Sequence, residues 1–181
     1  MNVRLVLLCF LLAPSLATSK SPEAQMLDIP LDGWRLVTDG VMGGVSRGEM
    51  QRTWRDGKEC LRLTGRVSTE NNGGFVQVAR DLRDAELSVA GNAQGIRLLV
   101  AGNDEPYNVH LRTAGLWFPW QAYRATFATR DEWTTIDIPF TQFQAHKTSQ
   151  AFDATRLKRI GIVAIGRDFN ADLCVARIGF Y

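Results

Sequence analysis

Histidine and cysteine are scarce in this chain. Only His110 and His146 occur, and the three cysteines, Cys9, Cys60 and Cys174, stand far apart. Zinc sites draw on closely spaced pairs of such residues, so no structural or catalytic zinc centre is expected. The sequence also lacks an N-x-S/T sequon and any phosphate-cradling glycine loop that leads into a helix. Charge is nearly balanced at +2, which removes the electrostatic case for nucleic acid or an anionic membrane. No window sustains apolar residues at i, i+3, i+4 and i+7, and no internal repeat is visible, so neither a helical bundle nor a solenoid fits.

What is present starts with a leader. Arg4 precedes an unbroken apolar run from Leu5 to Leu12, Pro14 ends it, and Ser15-Leu16-Ala17 supplies small residues for a cleavage site. This is the pattern of a secretory signal peptide over residues 1–17. The run is too short to span a bilayer, and Leu8 before Cys9 does not suit a lipoprotein. Removing Arg4, the one charged residue up to Ala17, takes the net charge from +2 to +1. The expected protein is therefore exported, periplasmic or secreted, with no stable membrane insertion after cleavage. Residues 18–26 read as a short polar leader, and residues 27–181 as a single domain.

Within that domain the apolar pattern has period two. Alternating runs cover Glu49–Trp54, Glu59–Val67, Phe75–Leu82, Gly95–Ala101, Tyr107–Arg112, Tyr123–Phe127, Trp133–Ile138, Ile160–Ala164 and Leu173–Tyr181. Asp56-Gly57 between the first two is a strong hairpin signal. Many short strands with Gly- and Asp-rich turns, and no helical crossovers to link parallel ones, predict an all-β antiparallel sandwich or jelly roll. A helical turn is expected at Phe140-Thr141-Gln142-Phe143. Export permits a disulfide between Cys60 and Cys174. Strand phase sends Cys60 outward with Arg62 and Cys174 inward with Ala176, which argues against the bridge unless a bulge resets one strand; the pairing stays open at this point.

Gly44-Val45-Ser46-Arg47-Gly48 matches G-x-S-x-G, yet a nucleophile elbow needs a helix after the serine, and strand follows here. The motif reads as a chance match, and no catalytic residue is expected. Asp39, Asp168 and Asp172 could join carbonyls around calcium, although isolated loop aspartates more commonly form turns; no metal and no cofactor is expected. Three loops remain as binding candidates. The first presents Asp39, Met42 and Ser46 among three glycines, and reads equally as a tight connection. The second presents Glu70, Asn71 and Asn72, residues that also serve turns. The third is Leu116-Trp117-Phe118-Pro119-Trp120-Gln121 with Arg112 just upstream. Its Trp117, Trp120, Gln121 and Arg112 suit either a binding anchor or a plug over one end of the sandwich. The working expectation is that all three loops converge on one side.

In this order the loops resemble the complex I intermediate-associated protein family, assembly factors first named for respiratory NADH:ubiquinone oxidoreductase. The resemblance rests on Trp34 with Asp39–Gly48, on Val67–Phe75, on Leu111-Arg112 with Pro119–Phe127, on Glu132-Trp133, Ile138-Pro139-Phe140 and Ile160-Gly161-Ile162, and on the terminal Ile178-Gly179-Phe180-Tyr181. It implies a galactose-binding-like jelly roll and a non-catalytic assembly or chaperone-like role with another protein as partner. The alternative is an exported carbohydrate-binding module of jelly-roll type.

Overall fold

The computed structural model describes residues 27–181. The expected signal peptide and polar leader lie outside the described residues. Twelve strands form two antiparallel sheets. The first sheet runs in the order β3 (Arg47–Arg55), β4 (Lys58–Val67), β12 (Phe169–Phe180), β6 (Gly95–Gly102), β9 (Thr134–Pro139), and β1 (Leu27–Asp28) pairs with the end of β12. The second runs β10 (Gln144–His146), β8 (Ala122–Ala128), β7 (Pro106–Thr113), β11 (Leu157–Ile165), β5 (Phe75–Asp81), β2 (Arg35–Thr38). This is the two-sheet sandwich that the alternating pattern implies.

The period-two residues meet between the sheets. Leu63, Leu98, Leu173, Ile178 and Phe180 from the first sheet face Val78, Val109, Leu111, Phe127, Ile160 and Ile162 from the second, all buried in one core. The hairpin between β3 and β4 turns at Asp56 and Gly57 with φ of 47° and 75°, and Arg55 pairs with Lys58. Two successive positive φ values twist a two-residue turn with the strands, which is why Asp-Gly marks it. The expected turn at Phe140–Gln142 is present as a 3₁₀ helix.

Two features depart from the sequence reading. A short helix, α1 (Asp84–Ala90), joins β5 to β6. At seven residues it is too short for a visible apolar period. The second departure concerns the cysteines. The pairing of β12 with β6 shifts register between Val175 and Arg177, a bulge that flips the phase of β12. Cys174 lies opposite Arg62 on β4, so it shares a face with Cys60, two residues from Arg62. The two are joined as a disulfide across a separation of 114 residues, with Cα atoms 5.5 Å apart. Phase counted through the bulge puts Cys174 on the wrong face.

Candidate functional site

Asp39 is completely buried, and its carboxylate gathers four donors. Ser46 gives its backbone N–H at 3.0 Å and its hydroxyl at 2.5 Å, and the N–H groups of Gly74 and Phe75 approach at 2.6 and 3.2 Å. The Ser46 hydroxyl in turn accepts from Ser68 N–H at 3.0 Å. Burial pushes the Asp39 carboxyl upward, but the Ser46 hydroxyl and the three backbone N–H groups outweigh it and hold the group below its usual range. A Cβ on Gly44 would lie 2.3 Å from Asp39 Cγ, and one on Gly73 would lie 2.5 Å from Oδ2. Those glycines therefore let two chain segments close around one carboxylate. The Asp-Gly-Val-Met-Gly-Gly-Val-Ser and Ser-Thr-Glu-Asn-Asn-Gly-Gly-Phe runs form a single polar clasp.

The clasp accounts for Ser46, whose hydroxyl is spent on Asp39 and Ser68 and is followed by strand β3. Met42 projects to solvent from the same loop, and Glu70, Asn71 and Asn72 are exposed. Asn71 and Asn72 take φ of 56° and 57°, which the short amide side chain tolerates and which the turn requires. Asp168 accepts from Thr69, and Asp172 pairs with Arg62, so these two aspartates have separate partners.

The aromatic loop follows β7. Trp117, Phe118 and Trp120 are 87%, 53% and 48% exposed, while Leu116 is buried beneath them. Phe118 and Trp120 stack with centroids 4.9 Å apart and planes within 7°. The backbone under them is fixed from two sides. The Arg112 guanidinium donates to the carbonyls of Leu116 at 3.2 Å and Phe118 at 3.0 Å. Gln121 accepts from Phe118 N–H and donates to Lys147 O. Arg112 and Gln121 thus brace the loop from below, and the three rings are the surface it shows. A cleft beside Trp117 is lined by Gly115, Gln150, Phe152, Asp153 and Arg156.

The three loops do not converge. Phe75, at the start of β5, pairs with Ile165 at the end of β11, whereas Leu157 at the start of β11 pairs with Thr113 at the end of β7. The Asp39 and Glu70 loops adjoin one end of the second sheet, and the aromatic loop leaves from the other. Sequence order carried no information on which end each connection occupies.

Sequence reasoning also missed the outward face of the second sheet. Register aligns Gln144, Arg124, His110, Gly161, Ala79 and Arg35 in one row across all six strands. His110 is only 8% exposed and its Nε2 has no hydrogen-bond partner, nor has the buried Nε of Arg124. Burial, then the charges of Arg124 and His146, drives the His110 imidazole down to about 3, so it is neutral. The only sequence signal was polar residues on the alternate positions of β7 and β8.

A family model for complex I intermediate-associated protein 30 matches residues 20–175. The chain belongs to this family. The match spans the clasp motifs on which the resemblance rests and stops short of the terminal Ile178-Gly179-Phe180-Tyr181, and the two-sheet sandwich agrees with the galactose-binding-like jelly roll that the resemblance implies. Among solved structures, a family 11 carbohydrate-binding module from Clostridium thermocellum, in complex with a β-1,3-1,4-mixed-linked tetrasaccharide, is similar with a TM-score of 0.67 at 14% identity over 86% of this chain and 93% of that one. A family 30 carbohydrate-binding module of a cellulosomal cellulase from the same organism is similar with a TM-score of 0.53 at 13% identity, covering 86% and 90%. At such identity the likeness shows the fold. No curated protein sequence matches the chain significantly.

Proposed function

We propose that this member of the complex I intermediate-associated protein 30 family is a non-catalytic binding domain with an assembly or chaperone-like role, and that it docks a protein partner through the aromatic loop. The observation that carries the reading is the presentation of Trp117, Phe118 and Trp120 to solvent on a backbone already fixed by Arg112 and Gln121. Large rings with few rotors on a preorganised loop lose little entropy on binding and form the anchors of protein interfaces. The mature domain is exported, on the strength of the leader, and intact mass of the exported protein should place its N-terminus close to Thr18. Retention of Met1 would contradict export.

Partner capture from the envelope fraction, read by mass spectrometry and quantified with the purified partner, tests the docking surface. Trp117→Ala with Trp120→Ala should weaken capture by about thirtyfold or more, the effect of losing an anchor worth about 2 kcal/mol. The melting temperature should fall only slightly, because Trp117 is largely exposed and Trp120 packs chiefly on the exposed Phe118. Unchanged capture would remove the loop from the interface.

A second reading, carbohydrate binding, is favoured by a separate observation, the polar outward face of the second sheet with its unpartnered buried groups. A related fold binds a tetrasaccharide in the family 11 module named above.

A further inference from the structure

The outward face of the second sheet contains buried polar groups that the fold leaves unsatisfied. Buried donors and acceptors are nearly always paired, so two orphans on adjacent strands require an explanation. His110 on β7 and Arg124 on β8 are register partners, and both point away from the core, opposite in phase to Val109, Leu111, Tyr123 and Ala125. Beside Arg124, against the short edge strand β10, lies a cleft of about 300 Å³, lined by Asn108, Arg124, Thr126, Gln142, Gln144 and His146. That volume is at the lower limit of small-ligand sites, about 300–1,000 Å³.

The lining sets the chemistry. Arg124 is half-buried, and no carboxylate among the described residues pairs with it, in contrast to Arg159 on the same face, which is held by Asp81 at 2.6 Å. A partly desolvated guanidinium with a free planar fork is matched to a carboxylate. The other groups are of a different kind. Asn108, Gln142, Gln144, Thr126 and the imidazole of His146, which burial and then Arg124 and Lys147 bias toward its neutral form, can each donate and accept, which is the set that hydroxyl groups require. Thr126 already donates to Asn108 Oδ1 at 2.9 Å, which leaves the Asn108 amide nitrogen free to donate. Beyond the cleft the row continues over Gly161 and Ala79, and the Gln77 side chain packs over Gly161, which adds a further amide to this face. No Phe, Tyr or Trp lines this cleft, so recognition there rests on charge and hydrogen bonding more than on ring stacking.

We propose that this face binds a carboxylate-bearing saccharide, a uronic-acid unit whose carboxylate meets Arg124 while its hydroxyls meet Asn108, Gln144 and His146. A single cation set among many dual donor–acceptor groups fits a monoanionic polyhydroxyl unit. An acidic peptide would use the cation and leave the amides idle. The inference narrows the carbohydrate reading and does not depend on protein docking at the aromatic loop.

Isothermal titration of the mature protein with tetrameric oligogalacturonate, oligoguluronate and hyaluronan fragments tests it, with cellotetraose and tetraglutamate as comparisons. At least one uronate oligomer should bind, weaken as salt rises, and bind at least about tenfold more tightly than cellotetraose or tetraglutamate, as expected for a charge-assisted contact backed by hydroxyl recognition. Arg124→Gln and, as an edge-strand variant with little risk to folding, Gln144→Ala should each reduce that affinity. Trp54→Ala, an exposed ring on the first sheet, should not. Equal binding of cellotetraose would overturn the proposal while leaving carbohydrate binding in place. Equal binding of tetraglutamate would assign the face to acidic peptide. Absence of binding by all three uronates, or affinity indifferent to both variants, would also overturn it.

Discussion

Asp39 shows how one side chain can link two stretches that lie far apart in sequence. Its carboxylate takes donors from Ser46, Gly74 and Phe75, and the Gly44 and Gly73 backbones pass too close to allow a side chain. Asp39→Asn keeps the shape but replaces one acceptor oxygen by a donor facing N–H groups, and should cost about 2–3 kcal/mol. Denaturant unfolding at neutral pH measures this. The pH dependence has a definite sign. The folded-state carboxyl sits below its unfolded value, so its contribution is complete above the unfolded value of about 4 and is lost as pH falls through the folded value. Stability of Asp39→Asn should therefore decline less between pH 7 and pH 3 than that of wild type. An identical decline would show that Asp39 ionises alike in both states. The sequence displayed the glycines and polar groups of the clasp, but a partner thirty-five residues away cannot be read from spacing, so the loop read equally as a tight connection and as groups offered to a ligand.

At the scale of elements, alternation carried most of the strands, because side chains on a half-buried strand must obey period two. It failed where the backbone breaks that period, at the β12 bulge that aligns Cys174 with Cys60, and where the element is too short, at α1. The helix α1 is fixed instead by a buried ion pair. Arg80 on β5 reaches both carboxylate oxygens of Glu86 at 2.8 Å, and Glu86 also accepts from Arg83 N–H at 2.7 Å, capping the helix start. Both side chains are nearly inaccessible. Burial pushes the Glu86 carboxyl upward, and Arg80 with the Arg83 N–H brings it below its usual value. Glu86→Leu alone strands a buried guanidinium and should cost about 3–5 kcal/mol. Arg80→Met with Glu86→Leu removes both charges, and should be less destabilised than either single variant. Thermal and denaturant unfolding of the three variants gives the coupling, and strict additivity would mean that the two groups act independently.

At the scale of the whole molecule, the two ends of the sandwich carry different tasks. One end holds the Asp39 clasp, in which Asp39, Ser46 and Ser68 are turned inward and bonded to one another. The other holds the aromatic loop, whose rings are turned outward on a braced backbone. The sheet connecting them is paired strand to strand through β7, β11 and β5, with one register shift between Leu157 and Arg159. Binding at the aromatic loop should therefore be local. In amide hydrogen exchange of the partner-bound protein, protection should rise in residues 114–121 and in residues 147–153, where Gln121 reaches the Lys147 carbonyl and Gln150 reaches Gly115. Residues 39–46 and 68–75 should exchange as in the free protein. Protection of the clasp without protection of the aromatic loop would move the interface to the opposite end, where Val41 and Met42 are the exposed apolar groups. Protection of both would require a partner that spans the sandwich, and the second sheet is the one whose opposite ends adjoin the two loops.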